Sequence, residues 1–235
     1  AEHRFICESN KDMRHIAYTL YGTDGIRYYG DVCKRDHAKT LRVHLYCFGA
    51  PCQPWCQGGQ NKGPIDDRAI VILYCLVYIL LRRPTAVLCE NAITFLTKWA
   101  HVRERIVRLI EKFGYRVNFK TLATSDYGPQ QNRKRWYLVA VRADSLISPF
   151  AFPEPTAPTP WNEMYDGDDV YRPQPKGTKT ELANLRWGSR EVEKRKLDLS
   201  TQTVFLDVHT SECWRNLMVD MSPTLTAPRC STGGF

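Results

Sequence analysis

Three short segments contain residue types that could carry chemistry. The first is the loop GAPCQPWCQGG at 49–59, in which Cys52 lies between two prolines. Proline restricts the backbone and glycine frees it, so we expect this loop to be stiff around Cys52 and mobile after it. A cysteine held exposed in such a loop can act as a nucleophile, although a single loop cysteine is far more often an ordinary one.

The other two segments offer a carboxylate and a pair of guanidinium groups. Glu90-Asn91 directly follows the apolar run AVLC. Its carboxylate is either a hydrogen-bonding group in a cleft or an acid near the start of the next helix. In Gln131-x-Arg133-x-Arg135 the two arginines point to the same side of an extended segment. Such a pair suits a polarised carbonyl or a phosphate, or it belongs to a solvated basic turn.

Alternating strands and helices are predicted to position these segments. Apolar runs predict strands at 4–8, 43–48, 86–89, 115–122 and 136–142. Helical spacing predicts helices at 10–21, 69–81 and 99–113, the first with Met13, Ile16, Ala17 and Leu20 on one face and the second buried. This alternation favours an α/β fold with a mostly parallel sheet, closed by an antiparallel hairpin of the last two strands. Ligands bind at the carboxyl ends of parallel strands, so we expect the three segments to share one edge of the sheet.

Composition narrows the class of protein. The chain has 235 residues, a formal net charge of +8 and a pI near 9.0. This charge fits a protein that binds a polyanion and fits equally well a basic soluble protein without such a partner. Nine cysteines, several inside apolar runs, and no secretory signal predict reduced thiols in an intracellular protein. No cysteine pairing has zinc-finger spacing, so no metal is expected. The apolar run at 69–81 is shorter than the roughly 20 residues of a membrane span, so no membrane is expected either.

The character of the chain changes near residue 148. Residues 148–160 are rich in proline and are predicted to be extended. The remainder is weakly periodic, with a short strand predicted at 203–208. We therefore divide the chain into a core at 1–147 and a linker with part of a second lobe at 148–235.

Taken in order, the three segments resemble the signatures of the C5-cytosine methyltransferase family. Gly49–Trp55 resembles its proline–cysteine–glutamine signature, Glu90-Asn91 its Glu-Asn-Val signature, and Gln131-x-Arg133-x-Arg135 its Gln-x-Arg-x-Arg signature. The resemblance is close over residues 5–142 and looser beyond. It implies a Rossmann-like class I methyltransferase sheet at 1–147 and part of a target-recognition region at 148–235.

The chain also departs from the family pattern. Ala92 replaces the valine of the second signature, and Cys56 stands where the family usually has Ser or Thr. The family's first strand with its glycine-rich turn and its last two motifs are not found in the sequence. We therefore expect a truncated catalytic core that binds the cofactor weakly by itself.

The resemblance implies a DNA cytosine-5 methyltransferase that uses S-adenosylmethionine. Cys52 would add to C6 of a flipped cytosine, with residues 57–63 closing over the base. Glu90 would hold N3 and the amine, while Arg133 and Arg135 would steady O2 and the nucleophile loop, Arg135 also lowering the pKa of Cys52. The implied cofactor-binding residues are Glu8, Ser9, Asp31, Val32 and Pro51. The implied substrate-binding residues are Gln53, Pro54, Asn91 and Gln131, and Ser222–Thr226 resembles the segment that closes the target-recognition region.

Two alternatives stay open within the same fold. One is a transfer-RNA cytosine-5 methyltransferase, so RNA is a possible partner besides DNA, although the Cys-Phe-Thr segment of that subgroup is not found. The other is a non-catalytic remnant that binds nucleic acid or a protein. The missing glycine turn and Ala92 favour it, and the intact Cys52, Glu90, Arg133 and Arg135 oppose it. The expected location is the nucleus in a eukaryote and the cytoplasm otherwise.

Overall fold

A computed structural model of the chain describes residues 2–56, 62–159, 163 and 177–223. The chain divides into two compact units. The first combines residues 1–122 with 135–152, and the second combines 123–134 with 153–235.

The first unit alternates strands and helices, as the sequence predicts. In chain order the elements to residue 142 are β1 (Phe5–Cys7), α1 (Lys11–Tyr21), β2 (Arg27–Tyr29), β3 (Leu45–Gly49), α2 (Ile70–Arg82), β4 (Ala86–Asn91), α3 (Ala100–Lys112), β5 (Tyr115–Ala123), β6 (Gln131–Asn132) and β7 (Lys134–Arg142). The dipeptide strand β6 belongs to the second unit.

A four-stranded sheet with the order β3-β4-β7-β5 supports the site. β3 and β4 are parallel, and β7 is antiparallel to β4. β5 and β7 are hydrogen-bonded neighbours joined without an α-helix, as a hairpin requires. The architecture is therefore α/β, with the antiparallel hairpin that the sequence predicts.

Alternate side chains of the central strands form the core. Val87 on β4 and Leu138 and Ala140 on β7 are almost completely buried, and Ile79 of α2 and Ile110 of α3 belong to the same cluster. Burying an aliphatic side chain of this size contributes roughly 1.5–3 kcal/mol. This packing fixes β4 and β7, whose ends carry the candidate site.

β1 and β2 form a separate parallel pair rather than part of the larger sheet. The sequence did not predict β2, because the three residues Arg27–Tyr29 are too short to show a period. Their pairing places Cys7 opposite Tyr29, so both strands end at the same edge.

Apolar side chains are exposed on two of the predicted helices. On α1 the predicted apolar face is exposed, with Met13 at 49% and Leu20 at 68%. α2 was predicted to be buried, yet Leu73 and Leu80 on its outer face are about half exposed. Apolar spacing indicates a helix but does not state what covers its face. No helix in the described part of the chain is long and apolar enough to cross a membrane.

The second unit contains β6, α4 (Lys179–Arg195), β8 (Val204–Leu206), β9 (Leu217–Val219) and β10 (Ser222–Pro223). β6 pairs in parallel with β10, and β8 is antiparallel to β9. α4, which the sequence did not predict, begins with a capping box between Thr178 and Glu181. The predicted strand at 203–208 corresponds to β8. Residues 148–159 contain no helix, as expected.

Candidate active site

The loop that carries Cys52 leaves β3 and is anchored on both sides of the cysteine. A turn closes through a hydrogen bond from the Trp55 amide to the Cys52 carbonyl at 2.9 Å, and the Gly63 amide donates to the Pro54 carbonyl at 2.7 Å. Trp55 is 2% exposed and packs edge-on against Phe95, with ring centroids 4.8 Å apart. The thiol of Cys52 itself is only partly buried. The loop therefore presents an accessible sulfur from a fixed support.

Asn91 ties the end of β4 to the same loop. Its side chain is 1% exposed, its Nδ2 donates to the Ala50 carbonyl at 3.3 Å, and its Oδ1 accepts from the Ala92 amide at 2.8 Å. A buried amide engaged at both ends holds the backbone in place. Asn91 thus makes a positioning contact in this structure, and its contact with the substrate stays a prediction.

Glu90 and Arg135 form an ion pair at the rim of the sheet, with Nε and Oε1 3.0 Å apart. Strand register explains the contact. Glu90 on β4 lies opposite Tyr137 on β7. Arg135 is two residues before Tyr137 on β7, so its side chain projects from the same face of the sheet as that of Glu90. Glu90 also lies opposite Gly49, and a Cβ on Gly49 would come within 3.7 Å of its carboxylate. The pair therefore adjoins the start of the loop that carries Cys52.

The electrostatics of Cys52 differ from the prediction. Burial and the neighbouring Cys56 raise the pKa of Cys52, while Arg135 lowers it. The predicted lowering by Arg135 is present, but burial outweighs it. The direction of the net shift is thus opposite to the one expected.

Arg68 is a further cation near the thiols. It forms an ion pair with Asp66 at 2.7 Å, and this pair, together with Cys52 and Cys56, raises the pKa of Arg68. Sequence reasoning assigned Arg68 no role. An acid two residues before an arginine was the available signal, but it did not show that the loop thiols lie nearby.

The predicted cofactor residues Glu8 and Asp31 lie at the ends of neighbouring strands. The Glu8 amide donates to the Tyr29 carbonyl at 3.1 Å, which extends the β1–β2 pairing to Glu8. The Glu8 carboxylate accepts from the Asn10 amide at 2.8 Å, and Asp31 accepts from the Cys33 amide at 2.9 Å. Both residues remain partly exposed. Two carboxylates at one strand edge suit a ligand with hydroxyl and amine donors.

The other predicted residues of the first unit differ in exposure. Gln53 is exposed and Pro51 is partly exposed, whereas Pro54 is buried and its carbonyl holds Gly63. Ser9 is exposed and Val32 is partly buried beside Asp31. The roles of these residues toward ligands stay predictions.

Gln131 and Arg133 belong to the second unit, so their grouping with Cys52 stays a prediction. Gln131 pairs with Ser222, and the Arg133 carbonyl accepts from the Thr124 amide at 2.9 Å. The predicted closing loop lies largely outside the described residues, as do positions 224–226 of the segment at Ser222–Thr226. Among the residues that the structure describes, no group of three or more His, Cys, Asp or Glu side chains could hold a metal ion.

The chain is similar in sequence to known methyltransferases. The chain is 31% identical to the Type II methyltransferase M.NgoBI of Neisseria gonorrhoeae over 72% of its own length and 52% of the relative. It is 30% identical to the Type II methyltransferase M.HhaI of Haemophilus parahaemolyticus over 54% of its length and 39% of the relative. The chain thus spans about half or less of these relatives.

A solved structure confirms the fold. A mutant of Spodoptera frugiperda DNMT2 matches with a TM-score of 0.55 at 19% identity, covering 73% of this chain and 54% of that one. A family model described as C-5 cytosine-specific DNA methylase matches residues 4–218. Because that match extends over most of its length, the chain belongs to the C-5 cytosine-specific DNA methylase family.

Proposed function

We propose that this chain carries the catalytic residues of a DNA cytosine-5 methyltransferase, with Cys52 as the nucleophile. The observation that supports this most directly is the Glu90–Arg135 ion pair at 3.0 Å beside the anchored Cys52 loop. The family description and the methyltransferase names of the relatives support the same activity. Thiol, carboxylate and guanidinium are the three groups that the reaction needs.

Cys52 begins the reaction by forming a bond from its sulfur to C6 of cytosine. This addition makes C5, otherwise a poor nucleophile, electron-rich enough to attack a methyl group. Glu90 hydrogen-bonds N3 and the exocyclic amine and shares a proton with N3, which stabilises the adduct. Arg135 holds the Glu90 carboxylate in place and stabilises the thiolate of Cys52. Loss of the C5 proton to a water molecule then breaks the S–C6 bond and releases the Cys52 thiolate.

S-adenosylmethionine, when bound, supplies the electrophilic methyl group. Glu8 would accept hydrogen bonds from its ribose hydroxyls, and Asp31 would accept one from its adenine amine. Ser9, Val32 and Pro51 would complete the contacts. The strand-end position of both carboxylates supports this assignment.

DNA is the proposed substrate, with the target cytosine flipped out of the duplex. A base inside the stack cannot reach a thiol on a protein loop, so extrusion is required. Gln53, Gln131 and Arg133 are the proposed contacts to the nucleotide, and the net charge of +8 favours binding to phosphate. An enzyme acting on genomic DNA works where that DNA is, in the nucleus of a eukaryote or the cytoplasm of a bacterium.

The test is Cys52→Ser in the complete enzyme that contains this chain. We expect methyl transfer from radiolabelled S-adenosylmethionine to cytosine-containing DNA to fall at least about a thousandfold, because the adduct cannot form. DNA binding should persist. Cys47→Ser, at an exposed thiol on β3, is the matched control and should keep its activity. Unchanged activity of Cys52→Ser would overturn the assignment of Cys52 as the nucleophile. Methyl transfer to tRNA but not to DNA would overturn the proposal that DNA is the substrate.

A further inference from the structure

A large cavity lies at the edge of the first unit opposite to the one that carries Cys52. Its volume is about 950 Å³, and it is lined by the first residues of β1 and β3 and by the end of α2. Arg142, at the end of the antiparallel strand β7, reaches the same edge, and its amide donates to the Thr85 carbonyl just before β4 at 2.9 Å. Gly49 and Glu90 lie toward the other ends of β3 and β4. The cavity is therefore separate from the candidate active site.

Arginine side chains dominate the charge of the cavity lining. Against a single acid, Glu2, the lining contains five arginines: Arg4, Arg42, Arg82, Arg83 and Arg142. Glu2 forms an ion pair with Arg4 at 2.7 Å, and Asp144 forms one with Arg142 at 2.8 Å. In the described parts of the chain, the other three arginines form no ion pair with an acid. Because a concave surface focuses the field of like charges, the cavity attracts anions.

Backbone contacts hold two of these arginines without compensating their charge. Nη1 of Arg82 donates to the Ala38 carbonyl at 2.7 Å, and Nη1 of Arg83 donates to the Phe113 carbonyl at 2.8 Å. A carbonyl oxygen is neutral, so each guanidinium keeps its full positive charge. The Nε of Arg82 is buried and has no hydrogen-bond partner among the described residues. The two side chains are thus fixed at the cavity while their charge stays available to an anion.

A buried guanidinium lies behind the wall of the cavity. Arg35 is 7% exposed, and its Cζ is 5.3 Å from the ring centroid of Phe5, which lines the cavity, and 5.0 Å from that of Tyr78. Its Nε and Nη1 have no hydrogen-bond partner in the part of the chain that the structure describes, and no acid there forms an ion pair with it. Salt and water screen a buried charge less than an exposed one. Arg35 therefore adds to the positive potential at the cavity.

We propose that this cavity binds a short chain of phosphates, either a free oligophosphate or the phosphate chain of a nucleotide. The volume of the cavity supports a small ligand, since sites for small molecules have volumes of roughly 300–1,000 Å³. The planar fork of N–H donors in arginine matches phosphate oxygens, and three uncompensated guanidinium groups suit a ligand with several negative charges. The proposal does not depend on the role of Cys52, because no residue of the candidate active site lines the cavity.

The first experiment titrates sodium tripolyphosphate into the complete protein that contains this chain and measures binding by calorimetry. We expect Arg42→Gln combined with Arg83→Gln to weaken binding at least about tenfold, because charge-assisted hydrogen bonds to phosphate are lost. Arg105→Gln combined with Arg108→Gln is the matched control. It removes the same charge from exposed positions on α3 outside the cavity lining, and it should bind like the parent protein. Absence of binding to the parent, or equal weakening in both double variants, would overturn the proposal.

The single variant Arg42→Gln separates binding from folding. Arg83 also contacts the Phe113 carbonyl at the end of α3, so its replacement alters packing as well as charge. Arg42 is exposed, and Arg42→Gln should keep the thermal midpoint that the parent has without ligand. We expect this variant to bind tripolyphosphate at least about threefold more weakly, and Arg42→Lys, which keeps the charge, to recover part of the affinity. Unchanged affinity in Arg42→Gln would contradict the phosphate site.

A comparison of ligands identifies the source of the phosphates. Tighter binding of a nucleoside triphosphate than of tripolyphosphate would assign the cavity to a nucleotide, and equal binding would assign it to the free anion. A short labelled single-stranded oligonucleotide should bind the Arg42→Gln and Arg83→Gln double variant as it binds the parent. Loss of oligonucleotide binding in that variant, with unchanged binding of tripolyphosphate, would overturn the proposal in favour of a nucleic-acid strand.

Discussion

At the scale of single residues, Glu90 and Arg135 illustrate how strand pairing places chemistry. They are far apart in sequence, yet the β4–β7 register puts them on one face. Their side chains are 31% and 24% exposed, so the ion pair is partly screened by water. A pair of this kind contributes about 1 kcal/mol or less to stability. Its importance is therefore expected in activity rather than in folding.

Glu90→Gln separates these two contributions. We expect methyl transfer to fall about 10²–10⁴-fold, because the amide cannot share a proton with the cytosine ring. The free energy of unfolding should change by no more than about 1 kcal/mol in urea denaturation. Glu104→Gln, which removes another acid paired with an arginine, is the control and should retain activity. An active Glu90→Gln enzyme would exclude the proposed proton role.

Arg135→Gln tests the positive charge that acts on Cys52. Burial already raises the pKa of Cys52 and Arg135 opposes that rise, so removing the guanidinium should raise the pKa further. The thiolate would then appear only at higher pH. We expect the pH midpoint of Cys52 alkylation by iodoacetamide to move upward, with slower alkylation at pH 8. Arg116→Gln, at an exposed arginine on β5, should leave that midpoint in place. A downward movement in Arg135→Gln would contradict the electrostatic assignment.

At the scale of elements, Gly63 joins the Cys52 loop to the aromatic residues that support it. Its amide donates to Pro54, its φ is +63°, and a Cβ there would lie 2.0 Å from the Trp99 ring. Trp99 in turn packs edge-on against Trp55, with ring centroids 5.7 Å apart. Gly63 is thus required both by its backbone conformation and by the close approach of an aromatic ring.

Gly63→Ala should therefore be more damaging than an alanine at another glycine with positive φ. We expect a loss of roughly 2–4 kcal/mol in the free energy of unfolding, from backbone strain and overpacking together. Gly25→Ala shares the strain, at φ +72°, but meets nothing within 4 Å, so it should lose only about 1–2 kcal/mol. Urea denaturation of both variants measures the difference. Equal losses would show that Trp99 moves aside without cost.

At the scale of the whole molecule, the excess of positive charge is the property most relevant to a DNA partner. The net charge of +8 comes from 33 basic and 25 acidic residues. Each phosphate neutralised on binding releases counterions, so affinity depends on salt. This dependence needs no assumption about which surface meets the DNA.

DNA binding by the complete enzyme should weaken steeply as salt rises. We expect a linear fall of log K with log salt, by about 0.9 per phosphate contacted. Cys52→Ser leaves the net charge of the protein unchanged. The slope of log K against log salt should therefore equal that of the parent protein, even though methyl transfer is lost. Fluorescence anisotropy with a labelled duplex measures both. A salt-independent affinity would argue against binding through phosphates.

Local patterns sufficed for most elements of the first unit. The predicted strands at 86–89 and 136–142 and the helix at 99–113 match β4, β7 and α3 to within about two residues. Burial was less predictable, because Leu20 and Leu80 show helical spacing whether or not another element covers them. The short strand β2 and the helix α4 were missed, the first because three residues show no period and the second because its apolar positions are few.

By itself, the sequence determined the chemical groups, their order along the chain and the family to which they belong. Residue types and spacing are local properties, and Cys52, Glu90 and Arg135 can be read from them directly. Only the tertiary structure decided that Asn91 and Pro54 hold the loop, that Arg68 lies near two thiols, and that burial raises the pKa of Cys52 despite Arg135. Desolvation and contact between distant segments depend on what surrounds a group in space, which no local pattern contains.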